Sequence, residues 1–166
     1  MSQSHFDLKI VKALIFDFDG VFTDNSVFVA SDGIEMLKFS KLDSLGLDLF
    51  RRYLLENNLQ MTLAIVSKES GEIVSMRAKK LKLECFQSVF DKWEFISQSL
   101  GLGEGQYVYF GNDLNDKECM QKAVFSFAPL DAHPEIKRIA TYNLAQRGGD
   151  GFVRAGLELL MGNTEI

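Results

Sequence analysis

The sequence predicts a doubly wound, Rossmann-like α/β fold: a parallel sheet flanked by helices, with a small β-hairpin flap. Three observations predict it. Apolar, strand-like runs alternate with stretches of helical spacing along almost the whole chain, as in successive strand–helix–strand units. The first run, "KALIFDFD", is nearly continuous in apolar residues, like a strand covered on both faces. Polar residues collect at the ends of these runs, and open parallel sheets bind ligands at the carboxyl ends of their strands.

The elements follow in order. After the first strand, "SVFVA" and "EMLKF" flank "SDG" and predict a hairpin within about residues 25–40. Leu42, Leu45, Leu49 and Tyr53 recur at helical spacing, so 43–58 reads as an amphipathic helix. Next come a strand "MTLAIVS", a helix "SGEIVSMRAKKLKL", a short strand "ECFQSVF" and a helix "DKWEFISQSL". "QYVYFGND" reads as a strand, "NDKECMQKA" as a helix, "VFSFAP" as a strand and "HPEIKRIA" as a short helix. "TYNLA" and the loop "RGGDG" precede a last helix over about 152–161.

Composition narrows the function. The chain has 166 residues, 46% hydrophobic and 25% charged, and no repeat, linker or low-complexity tract divides it. One domain over 1–166 is expected. A net charge of −5 without a basic run excludes a general nucleic-acid or membrane-surface binder, but not a phosphorylated substrate recognised by local charge. Cys85 and Cys119 are too few for a disulfide framework or a zinc site and read as free thiols. The apolar segment near the N-terminus is interrupted by Lys12, Asp17 and Asp19, so neither a signal peptide nor a membrane span is read there, and a cytoplasmic protein is expected.

Four strand ends carry the chemistry. Asp17 and Asp19 are two apart, so in extended chain both carboxyl groups face one side. "MTLAIVS" ends in Ser67, "ECFQSVF" leads to Lys92, and "QYVYFGND" ends in Asn112 and Asp113, with Asp116 three residues on. Bare, such oxygens repel one another; a hard divalent cation, Mg²⁺ above all, relieves this and leaves room for a phosphate. Asp17 can then attack phosphorus, and Asp19 can protonate the leaving oxygen and later deprotonate the water. Ser67 can donate to a phosphoryl oxygen, and Lys92 can neutralise the phosphate and hold Asp17.

Taken singly, each residue has a structural reading. Ser67 or Ser70 could cap the next helix, Lys92 could be a solvated lysine, and "GNDLND" could be a turn with its own hydrogen bonds. Their joint occurrence at successive strand ends points to one shared site. "DAHPE", with Pro134 at a first helical position, makes His133 a helix-start residue rather than a catalytic one, and His5 falls in the leader. "GLGEGQ" lacks the lysine and hydroxyl of a phosphate-cradling loop and reads as a helix stop. The fourteen phenylalanines read mainly as core.

"DFDGVFTD", Ser67, Lys92 and "GNDLND" resemble the four motifs of the haloacid dehalogenase superfamily of Mg²⁺-dependent aspartyl-phosphate phosphatases. "SDGIEMLKFSKLDSLG", "MRAKKL", "DAHP" and "RGGDGFVR" are similar to segments of its 3-deoxy-D-manno-octulosonate 8-phosphate phosphatases, nine-carbon sugar acid phosphatases and cytidylyltransferase-associated phosphatase domains. The resemblance implies no separate cap domain and a homotetramer in which one subunit's hairpin helps to close a neighbour's site. It implies Mg²⁺ held by the Asp17 side chain, the Asp19 backbone carbonyl and Asn112. Asn112 stands where many members have aspartate, and Asp113 could supply the missing carboxylate directly or through water. It further implies substrate contacts from Arg77, from Lys41 after the hairpin, and from Arg154.

The chain departs from the octulosonate phosphatases in having Ser67, Lys68 and Glu69 where those carry Thr-Gly-Arg. The expected function is a Mg²⁺-dependent phosphomonoesterase for a 2-keto-3-deoxy sugar acid phosphate, the eight-carbon octulosonate 8-phosphate first and a nine-carbon acid as alternative. A catalytically idle partner of a sugar cytidylyltransferase is a third reading. A phosphorylated receiver domain is disfavoured, because Asp19 would hasten loss of the phosphoryl group such a domain must keep.

Overall fold

The run Ala13–Phe16 has no polar side chain and no exposed residue, and it forms the central strand β1. The computed structural model describes residues 7–162; His5 lies outside them. A hairpin of β2 (Phe28–Val29) and β3 (Glu35–Met36) follows, then helix α1 (Lys41–Glu56), β4 (Thr62–Val66) and α2 (Glu72–Leu81). Next come β5 (Glu84–Phe86) and α3 (Lys92–Glu94), which runs on into one wide turn, Phe95–Ser99, closed by Leu100 N donating to Phe95 O at 3.2 Å. The rest is β6 (Tyr107–Phe110), α4 (Lys117–Lys122) behind a 3₁₀ turn at Leu114–Asp116, β7 (Phe125–Ala128), α5 (Pro134–Ile139), β8 (Tyr142–Asn143) and α6 (Phe152–Leu160).

Six strands pair in the order β5–β4–β1–β6–β7–β8, every pair parallel, so the predicted doubly wound architecture is the one observed. Alternation along β1 and β6 divides the core between the two faces. Leu14, Phe16, Val108 and Phe110 join Phe50, Phe127, Phe152 and Leu157 on one side. Ala13, Ile15, Tyr107 and Tyr109 join Ile96, Met120 and Ile136 on the other. Phe28 and Phe90 depart from the expected core role and are exposed.

Several boundaries differ from the sequence reading for local reasons. β1 stops at Phe16, so both aspartates lie in the loop beyond it. α1 begins at Lys41 because the Ser40 hydroxyl accepts from Leu42 N at 3.1 Å. Its buried face is Asp43, Gly46, Leu47, Phe50 and Leu54, turned away from the Leu42–Leu45 stripe, and those two leucines stay exposed. "TYNLA" supplies a two-residue edge strand too short to show a period. Among the described residues no helix is long and apolar enough to cross a membrane.

Candidate active site

The carboxyl ends of β1, β4 and β6 meet at one cleft of about 230 Å³, lined by Asp17, Asp19, Asn25, Ser67, Lys68, Glu69, Asn112, Asp113 and Asn115. β1 hands the chain over through Asp17 N, which donates to Phe110 O at 2.9 Å. The next turn is organised by Thr23, whose hydroxyl donates to Asp19 Oδ1 at 3.4 Å and accepts from Gly20 N and Asn25 N. Gly20 has φ +77° and lies so close to Asn112 that a Cβ would sit 1.9 Å from its amide nitrogen; only glycine fits both demands. β4 ends at Ser67, whose hydroxyl accepts from Glu69 N at 3.1 Å.

Lys92 enters from beneath. Asp91 caps α3 by accepting from Glu94 N at 2.8 Å, which leaves Lys92 at the first helical position with no exposed side-chain surface. Its Nζ is 2.7 Å from Asp17 Oδ1 and 2.8 Å from Asp116 Oδ1. Asp116 accepts further bonds from the Tyr109 hydroxyl at 2.9 Å, Asn112 N at 2.9 Å and Asp113 N at 3.3 Å. Asp17 also accepts from Phe18 N at 2.7 Å.

Burial governs the protonation of this cluster. The Asp17 carboxyl is pushed up to about 7 by burial and then by Asp116, against the pull of Lys92 and the Phe18 amide. Asp19 is raised by burial and by the Glu69 charge, with Thr23 and Lys92 opposing. Burial works against the Lys92 ammonium, but Asp17 and Asp116 outweigh it and raise its pKa.

An added cation fits this donor set. Asn112 Oδ1 is buried and has no hydrogen-bond partner, the mark of an oxygen awaiting one. Among the described residues no three His, Cys, Asp or Glu side chains converge into a ready cage. A cation here would draw on the Asn112 amide oxygen as well as on carboxylates. A larger, more open groove of about 620 Å³ borders Lys92 and Asn115 but contains neither Asp17 nor Asp19, so the smaller cleft is the one with convergent polar groups.

Of the residues singled out from sequence, Asp17, Asp19, Ser67, Asn112 and Asp113 line this cleft, with Lys92 bonded to Asp17. Lys41, Arg77 and Arg154 do not line it. Arg77 stacks on Phe39 and donates to Ser40 O and the Ser44 hydroxyl, and Arg154 pairs with Glu158 at 2.7 Å. Lys41 stands exposed at the start of α1. His133 is the helix-start residue expected: its ring Nδ1 accepts from Glu135 N, while its backbone N–H donates to Asn112 O.

Sequence reasoning missed Tyr109, Asn25 and Asn115 as parts of the site, named Lys68 and Glu69 only as departures from Thr-Gly-Arg, and placed Asp116 among the clustered oxygens without seeing its bond to Lys92. Asp116 was signalled by its four-residue spacing from Asn112, whereas nothing local set Tyr109 apart from Tyr107, the second hydroxyl of the same strand.

Residues 40–155 match the haloacid dehalogenase-like hydrolase family. The 3-deoxy-D-manno-octulosonate 8-phosphate phosphatase of Salmonella typhi is 29% identical over 155 residues, 91% of this chain and 79% of that protein. Among solved structures, the Moraxella catarrhalis 3-deoxy-D-manno-octulosonate 8-phosphate phosphatase, complexed with magnesium, phosphate and KDO, is 27% identical with a TM-score of 0.82. That alignment covers 93% of this chain and 88% of that one. The cobalt-bound Haemophilus influenzae phosphatase is 25% identical with a TM-score of 0.78, covering 94% and 91%.

Proposed function

Because the chain belongs to the haloacid dehalogenase-like hydrolase family, we propose that it is a phosphomonoesterase acting through an aspartyl-phosphate at Asp17. One observation carries the proposal: a fully buried Lys92 ties Asp17 to Asp116 on the rim of a cleft that also holds Asp19, Ser67, Asn112 and Asp113.

Lys92 and the Phe18 amide hold one Asp17 oxygen by bonds of 2.7 Å each, which fixes the carboxylate for in-line attack on phosphorus. Asp19, whose pKa burial and the Glu69 charge raise, is placed to give the proton that the leaving alkoxide takes. Once deprotonated, it takes a proton from the water that cleaves the acyl phosphate and restores Asp17. Ser67 donates to a phosphoryl oxygen. A divalent cation, Mg²⁺ in our reading, would be held by Asp17, the Asp19 carbonyl and Asn112 Oδ1, with Asp113 in direct or water-mediated support. When bound it supplies the positive charge that lets a carboxylate approach a phosphate dianion.

The substrate class is a 2-keto-3-deoxy sugar acid phosphate, with 3-deoxy-D-manno-octulosonate 8-phosphate first and a nine-carbon acid 9-phosphate second. Support comes from the relatives named for that phosphatase activity and from the KDO bound in one of them. In this reading Arg77, Lys41 and Arg154 meet the sugar acid only where subunits adjoin, since they lie off the cleft of a single chain. A homotetramer is the corresponding assembly, and the exposed apolar hairpin supports it. Free Cys85 and Cys119 suit a reducing cytoplasm.

The test is phosphate release in Mg²⁺ from an aryl phosphate and from a panel of eight- and nine-carbon keto-deoxy sugar phosphates. Asp17→Asn and Asp19→Asn are each expected to lower turnover by on the order of 100-fold or more. Turnover surviving both changes refutes the assigned roles. Absence of release across the panel favours an idle partner of a cytidylyltransferase.

A further inference from the structure

Tyr109 lies within β6 with no exposed surface, and its hydroxyl is 2.9 Å from Asp116 Oδ1. The same oxygen is 2.8 Å from Lys92 Nζ, and that ammonium is 2.7 Å from Asp17 Oδ1. Hydrogen bonds thus run without a gap from the interior of a central strand to the carboxylate proposed to attack phosphorus. We propose that Tyr109 is a positioning residue for phosphoryl transfer, acting through Asp116 and Lys92 on Asp17; the inference rests on the phosphatase reading above.

The argument turns on how Asp116 shares its two oxygens. Oδ2 is committed to the backbone N–H groups of Asn112 and Asp113, which anchors that side of the carboxylate to the turn. Oδ1 divides its acceptor capacity between the Tyr109 hydroxyl and the Lys92 ammonium. In a buried cluster each bond adjusts the strength of its neighbours. Without the hydroxyl, Oδ1 faces Lys92 alone and draws the ammonium toward Asp116, which slackens its hold on Asp17.

The hydroxyl is a dependable donor, because burial and the Asp116 charge keep its pKa well above the ordinary tyrosine value. Packing alone would be served by phenylalanine at this position. Tyr107, two residues earlier and equally buried, sends its hydroxyl to Cys119 O at 2.8 Å and takes no part in the chain of bonds.

Tyr109→Phe therefore keeps the ring and removes the one bond in question, and Tyr107→Phe is its control. With p-nitrophenyl phosphate and Mg²⁺, Tyr109→Phe is expected to lower kcat about 10-fold or more, with KM within about twofold of the wild type. Inhibition by orthovanadate, which imitates five-coordinate phosphorus, should weaken in parallel, whereas inhibition by inorganic phosphate should not. Tyr107→Phe should lose thermal stability and keep its kcat. The inference is overturned if Tyr109→Phe keeps a wild-type kcat, if its loss lies in KM, if vanadate and phosphate weaken together, or if Tyr107→Phe loses as much turnover. A wild-type chain that hydrolyses no monoester overturns the phosphatase reading, and this inference with it.

Discussion

Lys92 is the residue on which the site balances. A lysine with no exposed side chain is stable only when its charge is answered, and here Asp17 and Asp116 answer it at 2.7 and 2.8 Å. Removing the ammonium leaves two carboxylates buried together with only neutral donors. Lys92→Met, which keeps most of the volume, is expected to cost about 3–5 kcal/mol of stability in urea unfolding, along with turnover. A loss below about 1 kcal/mol, the range of an exposed pair, would show that the three charges do not depend on one another. At this scale the sequence was informative where spacing is short: D-x-D and "GNDLND" each present their oxygens through a few consecutive residues. The pairing of Lys92 with Asp116 joins positions 24 apart, and no local pattern encodes it.

Between elements, the contact of α1 with α6 shows how one helix completes another. The N-cap position of α6 is Gly151, which has no side chain to cap the helix, and Asp43 of α1 supplies the missing acceptor to Arg154 N at 3.0 Å. Gly46, one turn on, lets the helices close to where a Cβ would lie 2.8 Å from the Arg154 Cα. Burial pushes the Asp43 carboxyl up to about 6 from 3.8, against the opposing pull of the Arg154, Val153 and Gly151 amides and of Arg77.

The sign of its effect on stability follows from proton binding. Below 3.8 the group is protonated folded and unfolded; between 3.8 and about 6 only the folded chain keeps the proton, so stability falls as pH rises through that window. At about 1.4 kcal/mol per pH unit the loss comes to about 3 kcal/mol. Asp43→Asn keeps an acceptor and removes the titration. Its stability relative to wild type is expected to rise by about that amount between acid and neutral pH in urea melts. A difference that stays constant with pH refutes the assignment. Sequence periodicity found α1, but which of its faces is buried was decided by this contact.

Over the whole molecule, the sheet places its working residues at one end and leaves an apolar ribbon unpaired. Phe28, Val29, Ile34 and Met36 are each more than half exposed on the β2–β3 hairpin, and Leu42 and Leu45 add to the exposed apolar surface. A two-stranded ribbon of this kind is marginal alone, and exposed apolar patches mark contact surfaces. If the hairpin joins subunits as proposed, Phe28→Ser with Met36→Ser will shift the mass measured by light scattering toward the monomer, with far-ultraviolet circular dichroism unchanged. A wild-type monomer, or a doubly substituted chain of unchanged assembly, removes the tetramer from the reading.

The alternation of strands and helices, the buried character of β1 and the four polar strand ends were legible before any folding, because each is written in residues close together in the chain. Hydrophobic period and strand-end chemistry act over a few positions. Tertiary structure alone decided that Tyr142–Asn143 completes the sheet, that Asp43 caps a helix starting 109 positions later, and that Tyr109 reaches Asp17 through Asp116 and Lys92. Those features depend on distances between remote residues, and only the packed layers of the folded chain set such distances.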